Sequence, residues 1–218
     1  MAQIFHPSMK VIAKASIVAL AVIVVAFSII AVLMYRSSYY TSTNEPREQI
    51  VPFSHEQHVS GLGIDCRYCH TSVERSSFAG IPPTSTCMTC HSQVWAGSPL
   101  LAPVRESYRT NTPLRWNRVN DLPDFVFFNH SIHISKGIGC QTCHGQVDQM
   151  PLVWRQESLY MAWCLDCHRE PEKNIRPRSE VFNMKYQAPE NQKELGLKLV
   201  KEYSVNTKQL SDCSICHR

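Results

Sequence analysis

A mainly α-helical chain with extensive loop, hung on a single N-terminal transmembrane helix, is predicted by three observations. Residues 15–35 run for 21 positions without a charge. The chain carries 13 prolines and 8 glycines, with modest aliphatic content outside that run, which is too little for a large self-packed core. All ten cysteines fall in five short Cys-x-x-Cys-His units, spread from Cys66 to His217.

The run Ala15–Tyr35 is long enough as a helix to cross a bilayer. It is long for the core of a cleaved signal peptide and no small-x-small site ends it, so an uncleaved signal anchor is expected over residues 1–35. Lys10 and Lys14 precede the span and Arg36 and Arg47 follow it, so the positive-inside count barely decides orientation. The span has no Asp, Glu, His or Arg, which argues against a quinone or proton site within this helix.

The five units are Cys66/Cys69/His70, Cys87/Cys90/His91, Cys140/Cys143/His144, Cys164/Cys167/His168 and Cys213/Cys216/His217. Two thiols two residues apart can form thioethers with porphyrin vinyl groups, and the adjoining imidazole can reach the iron. Zinc knuckles also use Cys-x-x-Cys, but they do not require a histidine after each second cysteine. Thioether attachment leaves no thiol for a disulfide. The expectation is therefore five covalently attached haem c groups in residues 36–218, about 37 residues per haem. Such attachment takes place outside the bacterial cytoplasm. This expectation sets the N-terminus inside the inner membrane and the haem domain on its periplasmic or outer face. The formal charge of +4 would be lowered by the haem propionates, so it says little about partners and gives no reason to expect nucleic acid.

Each iron needs a further ligand. Outside the five units the histidines are His6, His55, His58, His130 and His133, and His6 lies before the span. The other four form two His-x-x-His pairs, in Phe53-Ser54-His55-Glu56-Gln57-His58 and Phe128-Asn129-His130-Ser131-Ile132-His133. Gly63-Ile64-Asp65-Cys66 matches Gly137-Ile138-Gly139-Cys140, which marks a tandem repeat. Module one spans 53–91, a linker 92–127, module two 128–168, and a fifth-haem segment 169–218. Histidines three apart share a helical face yet can meet different irons. His55 is assigned to the haem of Cys66, His58 to that of Cys87, His130 to that of Cys140 and His133 to that of Cys164. For the fifth iron the candidates are Met184, then Met161 and Met150, or no ligand at all; Met184 is preferred because it lies between module two and the fifth motif.

Ser92–Asp124, rich in Pro, Arg and aromatics, reads as extended chain. Pro189–Tyr203 reads as a helix, with Leu195, Leu199 and Tyr203 at four-residue spacing. No Gly-rich phosphate loop and no nucleophile with a general base is present, so no catalytic residue is assigned.

The Phe-x-His-x-x-His pairs followed by Gly-Ile-x-Cys-x-x-Cys-His resemble the cytochrome c3/c7 class of multihaem proteins over Phe53–His168. With the anchor, the stretch Leu159–Arg169 and the terminal Cys213-Ser214-Ile215-Cys216-His217-Arg218, the whole chain resembles the pentahaem subunit of bacterial alternative complex III. That resemblance implies an electron-transfer subunit of a membrane quinol:electron-acceptor oxidoreductase. It implies an iron-sulfur subunit as donor, a small cytochrome c or blue-copper protein as acceptor, and multi-helix quinol-binding membrane subunits as neighbours. Two other readings stay open: a self-contained multihaem quinol dehydrogenase, disfavoured by the distance from Tyr35 to Cys66 and by a fifth motif, and a small-oxidant reductase with an open haem iron.

Overall fold

A computed structural model describes His6 and residues 8–217. Residues 1–5 and 7 of the expected cytoplasmic N-terminus, and Arg218 of the terminal motif, lie outside the described residues. The chain divides into two compact units, one ending at Thr43 and the other beginning at Asn44.

The first unit is built on α1, Met9–Arg36, whose 28 residues make a rod of about 42 Å. None of its residues is buried, and among the described residues it is the one helix long and apolar enough to cross a membrane. Its hydroxyls are satisfied within the helix, Ser16 Oγ donating to Ala13 O (3.0 Å) and Ser28 Oγ to Val24 O (2.8 Å). Ser37, with extended backbone, stops α1, and a single turn, α2 (Ser38–Thr41), follows, with Tyr40 tilted against Tyr35 at 5.0 Å. The first unit therefore ends eight residues beyond the expected boundary at Tyr35, because the helix runs on through Arg36 and α2 folds with it.

The second unit contains no strand among the described residues, and isolated bridges such as Pro46–Trp154 and Ile138–Ile175 stand in its place. Its helices are short: α3 (Cys66–Cys69), α4 (Thr84–His91), α5 (Ala102–Thr110), α6 (His130–Ser135), α7 (Cys140–His144), α8 (Met161–Arg169), α9 (Gln192–Glu202) and α10 (Cys213–Cys216). Two small apolar clusters hold them. One joins Val51, Leu101 and Val104 to Cys87 and Met88; the other joins Ile138, Ile175, Leu199 and Tyr203.

The linker corrects one expectation. Residues 92–124 are not all extended, because a 3-10 turn (Pro99–Leu101) leads into α5. Pro99 and Pro103 stand in first turns, where a missing N–H costs nothing, so residues that read as breakers are helix starters here. Leu101, Val104 and Ser107 turn inward, and Asn111, left-handed at φ 53°, ends α5.

The tandem repeat is local structure as well as sequence. Asn129 caps α6, its Oδ1 accepting from Ser131 N (3.0 Å), and Ser54 occupies the matching place, its Oγ accepting from Gln57 N (3.2 Å). Module one has one more residue between its second histidine and the shared Gly-Ile. That residue is absorbed by a π-helical turn, Glu56–Gly61, where module two is α-helical.

Helix α9 forms within the expected span and packs on the turn Pro171–Lys173. A Cβ on Gly196 would lie 1.9 Å from Glu172 O, so only glycine permits this approach. Gly196→Ala is expected to destabilise the protein by about 1–3 kcal/mol, read from the midpoint of denaturant unfolding; an unchanged midpoint would contradict the packing.

Candidate haem-binding centres

Each Cys-x-x-Cys-His unit lies on a helical turn, which sets its two sulfurs on one side with the histidine directly after them. Asp65 caps the first turn, Oδ1 accepting from Arg67 N (2.8 Å), and the Arg67 side chain returns to the same carboxylate and lies 4.6 Å over the Phe182 ring. Hydrogen bonding from Arg67 holds the Asp65 carboxyl below its ordinary pKa. The ion pair is half-exposed and adds little stability.

Eight of the nine histidines in the second unit stand as four facing pairs. His55 and His70 have ring centres 6.5 Å apart and planes 5° from parallel; His130 and His144 lie at 6.4 Å and 5°. His58 faces His91 at 6.2 Å and 63°, and His133 faces His168 at 6.1 Å and 32°. Two imidazoles that bind one metal ion through single nitrogens, at about 2 Å each, have ring centres roughly 6 Å apart. The geometry pairs the same residues as the spacing argument.

The rings are aimed by their other nitrogen. Nδ1 meets a backbone carbonyl in seven of the nine: His58 with Ser54 O (2.7 Å), His70 with Gly80 O (2.7 Å), His91 with Val94 O (2.9 Å) and His130 with Ser77 O (2.9 Å). His133 meets Asn129 O (2.7 Å), His168 meets Leu210 O (2.8 Å) and His217 meets Phe125 O (3.0 Å). A carbonyl only accepts, so Nδ1 carries the proton and the lone pair sits on Nε2. For His144 the Nδ1 neighbour is the Asn120 amide at 3.2 Å, and His55 Nδ1 is buried without a partner. Phe53 stacks on His58 (4.4 Å, 26°) and meets His55 edge-on (4.9 Å, 89°). Phe128 repeats this with His133 (4.5 Å, 29°) and His130 (4.7 Å, 90°). The phenylalanine two residues before each pair was visible in the sequence, but not its role as a wedge fixing both rings.

Burial, and then the neighbouring His70, lowers the His55 pKa to about 4; burial, then His130 and His70, does the same for His144. Burial also lowers His133. These rings stay neutral, the form that binds metal. The thiols are pushed up, Cys143 to about 12 by burial and then by Cys167 and Cys164, and Cys140 to about 11 by burial and then by Cys66. Cys69 is raised by burial and then by Cys87, and Cys164 by burial and then by Cys216.

The donor set fits haem. Among the described residues no three His, Cys, Asp or Glu side chains converge, as a tetrahedral zinc site needs. Facing pairs suit an ion whose remaining four ligands come from a porphyrin. Arg176, 6% exposed, lies 4.4 Å over Tyr186 and donates from Nη2 to Thr142 Oγ1 (3.3 Å). Its Nε and Nη1, with Tyr186 Oη, are buried donors without partners, as the surroundings of an anionic propionate require.

The methionine candidates lie elsewhere. Met184, 6% exposed, lines a cavity of about 480 Å³ with Gln146, Asp148, Gln149, Lys185, Tyr186 and Gln187, beside the third motif. Met150 is fully buried, its carbonyl accepting from Glu56 N (3.2 Å), and Met161 is 66% exposed at the start of α8. None is brought against His217 in the described contacts; the ring on His217 is Phe125, at 5.9 Å.

Parallel and crossed imidazoles split the iron d orbitals differently. A haem held between His58 and His91 would give a strongly axial low-spin EPR signal, and haems held by the two 5° pairs rhombic ones. Lowered histidine pKa values also have a thermodynamic sign. Between pH 6.5 and about 4 the unfolded chain protonates these rings and the folded chain does not, so stability is full above pH 6.5 and falls as pH drops toward 4. Denaturation midpoints across that window check it.

Residues 126–218 match the family described as cytochrome c7 and related cytochrome c. The menaquinone reductase multiheme cytochrome c subunit of Nitratidesulfovibrio vulgaris (strain Hildenborough) is 39% identical over 99 residues, 45% of this chain and 46% of its own length. The chain thus spans about half of that relative. The matched family region holds three of the five attachment units and the His130–His133 pair, so the likeness to cytochrome c7 covers the second half of the chain.

Proposed function

We propose that the chain is a membrane-anchored relay carrying five c-type haems in a quinone-linked oxidoreductase. The observation that carries this reading is the set of four facing imidazole pairs, each joining a histidine that follows a Cys-x-x-Cys unit to one from a His-x-x-His pair. The family match stops at residue 126, but module one has the ring distances and angles of module two to within 0.2 Å and 3° for its wedge phenylalanine and its first pair. The same chemistry is therefore assigned to both modules.

In this reading Cys66, Cys69, Cys87, Cys90, Cys140, Cys143, Cys164, Cys167, Cys213 and Cys216 hold the porphyrins. His70, His91, His144, His168 and His217 bind the irons from one side, and His55, His58, His130 and His133 bind four of them from the other. Haem supplies a one-electron couple. The chain holds both imidazoles on carbonyl acceptors in the His58/His91 and His133/His168 pairs, and a phenylalanine wedge holds the His-x-x-His ring in all four, which restrains these ligands when charge changes. α1 anchors the domain, with residues after it on the periplasmic or outer side.

The named relative is a menaquinone reductase subunit, and the resemblance to alternative complex III implies a quinol:electron-acceptor oxidoreductase. The resemblance to alternative complex III implies a quinone site in multi-helix partner subunits, in keeping with a span free of Asp, Glu and His. The partners proposed are multi-helix quinone-binding subunits, an iron-sulfur subunit, and a small cytochrome c or copper protein. Purification from the native membrane in mild detergent should return this chain with such subunits; a lone haem protein that oxidises quinol or reduces a small oxidant would overturn the relay reading.

His133→Ala should leave haem content at five per chain, convert one low-spin haem to high-spin and raise its potential. An unchanged spectrum would refute the pairing of His133 with His168.

A further inference from the structure

We infer that the haems follow the spatial order second, first, third, fourth, fifth motif, so that module one is threaded backwards and the wire does not follow the chain. This rests on the five-haem reading above, and four joints carry it.

The first and second motifs are joined twice. His55 and His58 leave one turn to meet His70 and His91, and Tyr68 Oη lies 3.1 Å from Thr89 Oγ1, linking the residues between the cysteines of each unit. The third and fourth motifs are joined in the same way through His130 and His133 on α6.

The joint between modules is made by one loop. His70 Nδ1 donates to Gly80 O (2.7 Å) and His130 Nδ1 to Ser77 O (2.9 Å), while His130 N and Ser131 N also donate to Ser77 O and Ser76 O (3.2 Å each). Three residues span at most about 10 Å, so the ring following the first attachment unit and the distal ring facing the third hang from neighbouring carbonyls. The burial of Cys140 beside Cys66 and of His55 beside His144 agrees with this contact.

The second motif faces away from that joint. His91 is held by Val94 of its own segment, and α4 packs on α5 in the cluster of Val51, Leu101 and Val104. At the far side His168 Nδ1 donates to Leu210 O (2.8 Å), three residues before Cys213, and Phe127 N donates to Cys216 O (2.8 Å). The fifth motif therefore adjoins the fourth.

Electron tunnelling falls off steeply with separation, so adjacency sets the path. Each hop oxidises one ferrous iron and reduces its ferric neighbour, with no bond made or broken. A reduced one-electron donor supplies the electron at one end and an oxidised acceptor removes it at the other. The two ends are the haems of Cys87 and Cys213, and the haem of Cys140 is the middle.

The test uses the full-length holoprotein in detergent. Pulsed EPR at partial reduction should show the crossed-imidazole haem of His58 and His91 coupled strongly to one neighbour, that of His55 and His70, and the latter coupled to two. Direct coupling of the His58/His91 haem to the His130/His144 haem would overturn the order. Cys140→Ala/Cys143→Ala should leave four haems and slow equilibration between the two halves roughly tenfold or more after photoreduction; an unchanged rate would also overturn it. If that variant fails to fold, the EPR measurement alone decides. A haem count other than five in the unmodified protein would instead refute the underlying reading.

Discussion

The hydrogen bond from imidazole Nδ1 to a backbone carbonyl is the constraint on which the rest of this structure depends. It fixes the tautomer, leaves the ring's free lone pair on Nε2 and sets the direction in which that atom points. Seven of nine rings are held in this way, and the carbonyls come from segments as distant as Gly80, Phe125 and Leu210. Irregular chain is therefore organised by what it must offer to a ring. The protein has little strand and two small clusters because its loops are used as acceptors rather than as connections between layers.

The two modules meet this constraint differently. In module one His58 is held by Ser54, His70 by Gly80 and His91 by Val94, all within the module or just beyond it. In module two only His133 is held locally, by Asn129. His130 leans on Ser77 of module one, His144 meets Asn120 of the linker, and His168 depends on Leu210 of the final segment. The repeat is symmetric in its pairs and wedges and asymmetric in its supports.

Much of this was legible in the residues. A cysteine spacing is a covalent requirement and His-x-x-His a local one, so both survive translation from sequence to structure; the helix around Leu195, Leu199 and Tyr203 was legible for the same reason. What depends on distant carbonyls was not. Nothing in Ser77 or Leu210 marks it as an acceptor, since any residue has a carbonyl. α5 was hidden because Pro99 and Pro103 read the same whether they start a helix or break one. Met184 follows module two in sequence but folds back beside the third motif, because nearness along the chain is a weak guide in a domain of short helices and long loops.

The Ser77–His130 contact also sets an order of assembly. Module one can aim His58, His70 and His91 with carbonyls already made by the time Val94 emerges, whereas His130 has no acceptor until the Ser76–Ser77 loop has taken its shape. The aiming of His130 is thus vectorial, the earlier loop serving as a template for the later ring, so that a lesion at Ser76–Ser77 is felt first not where it lies but in the half of the domain made after it.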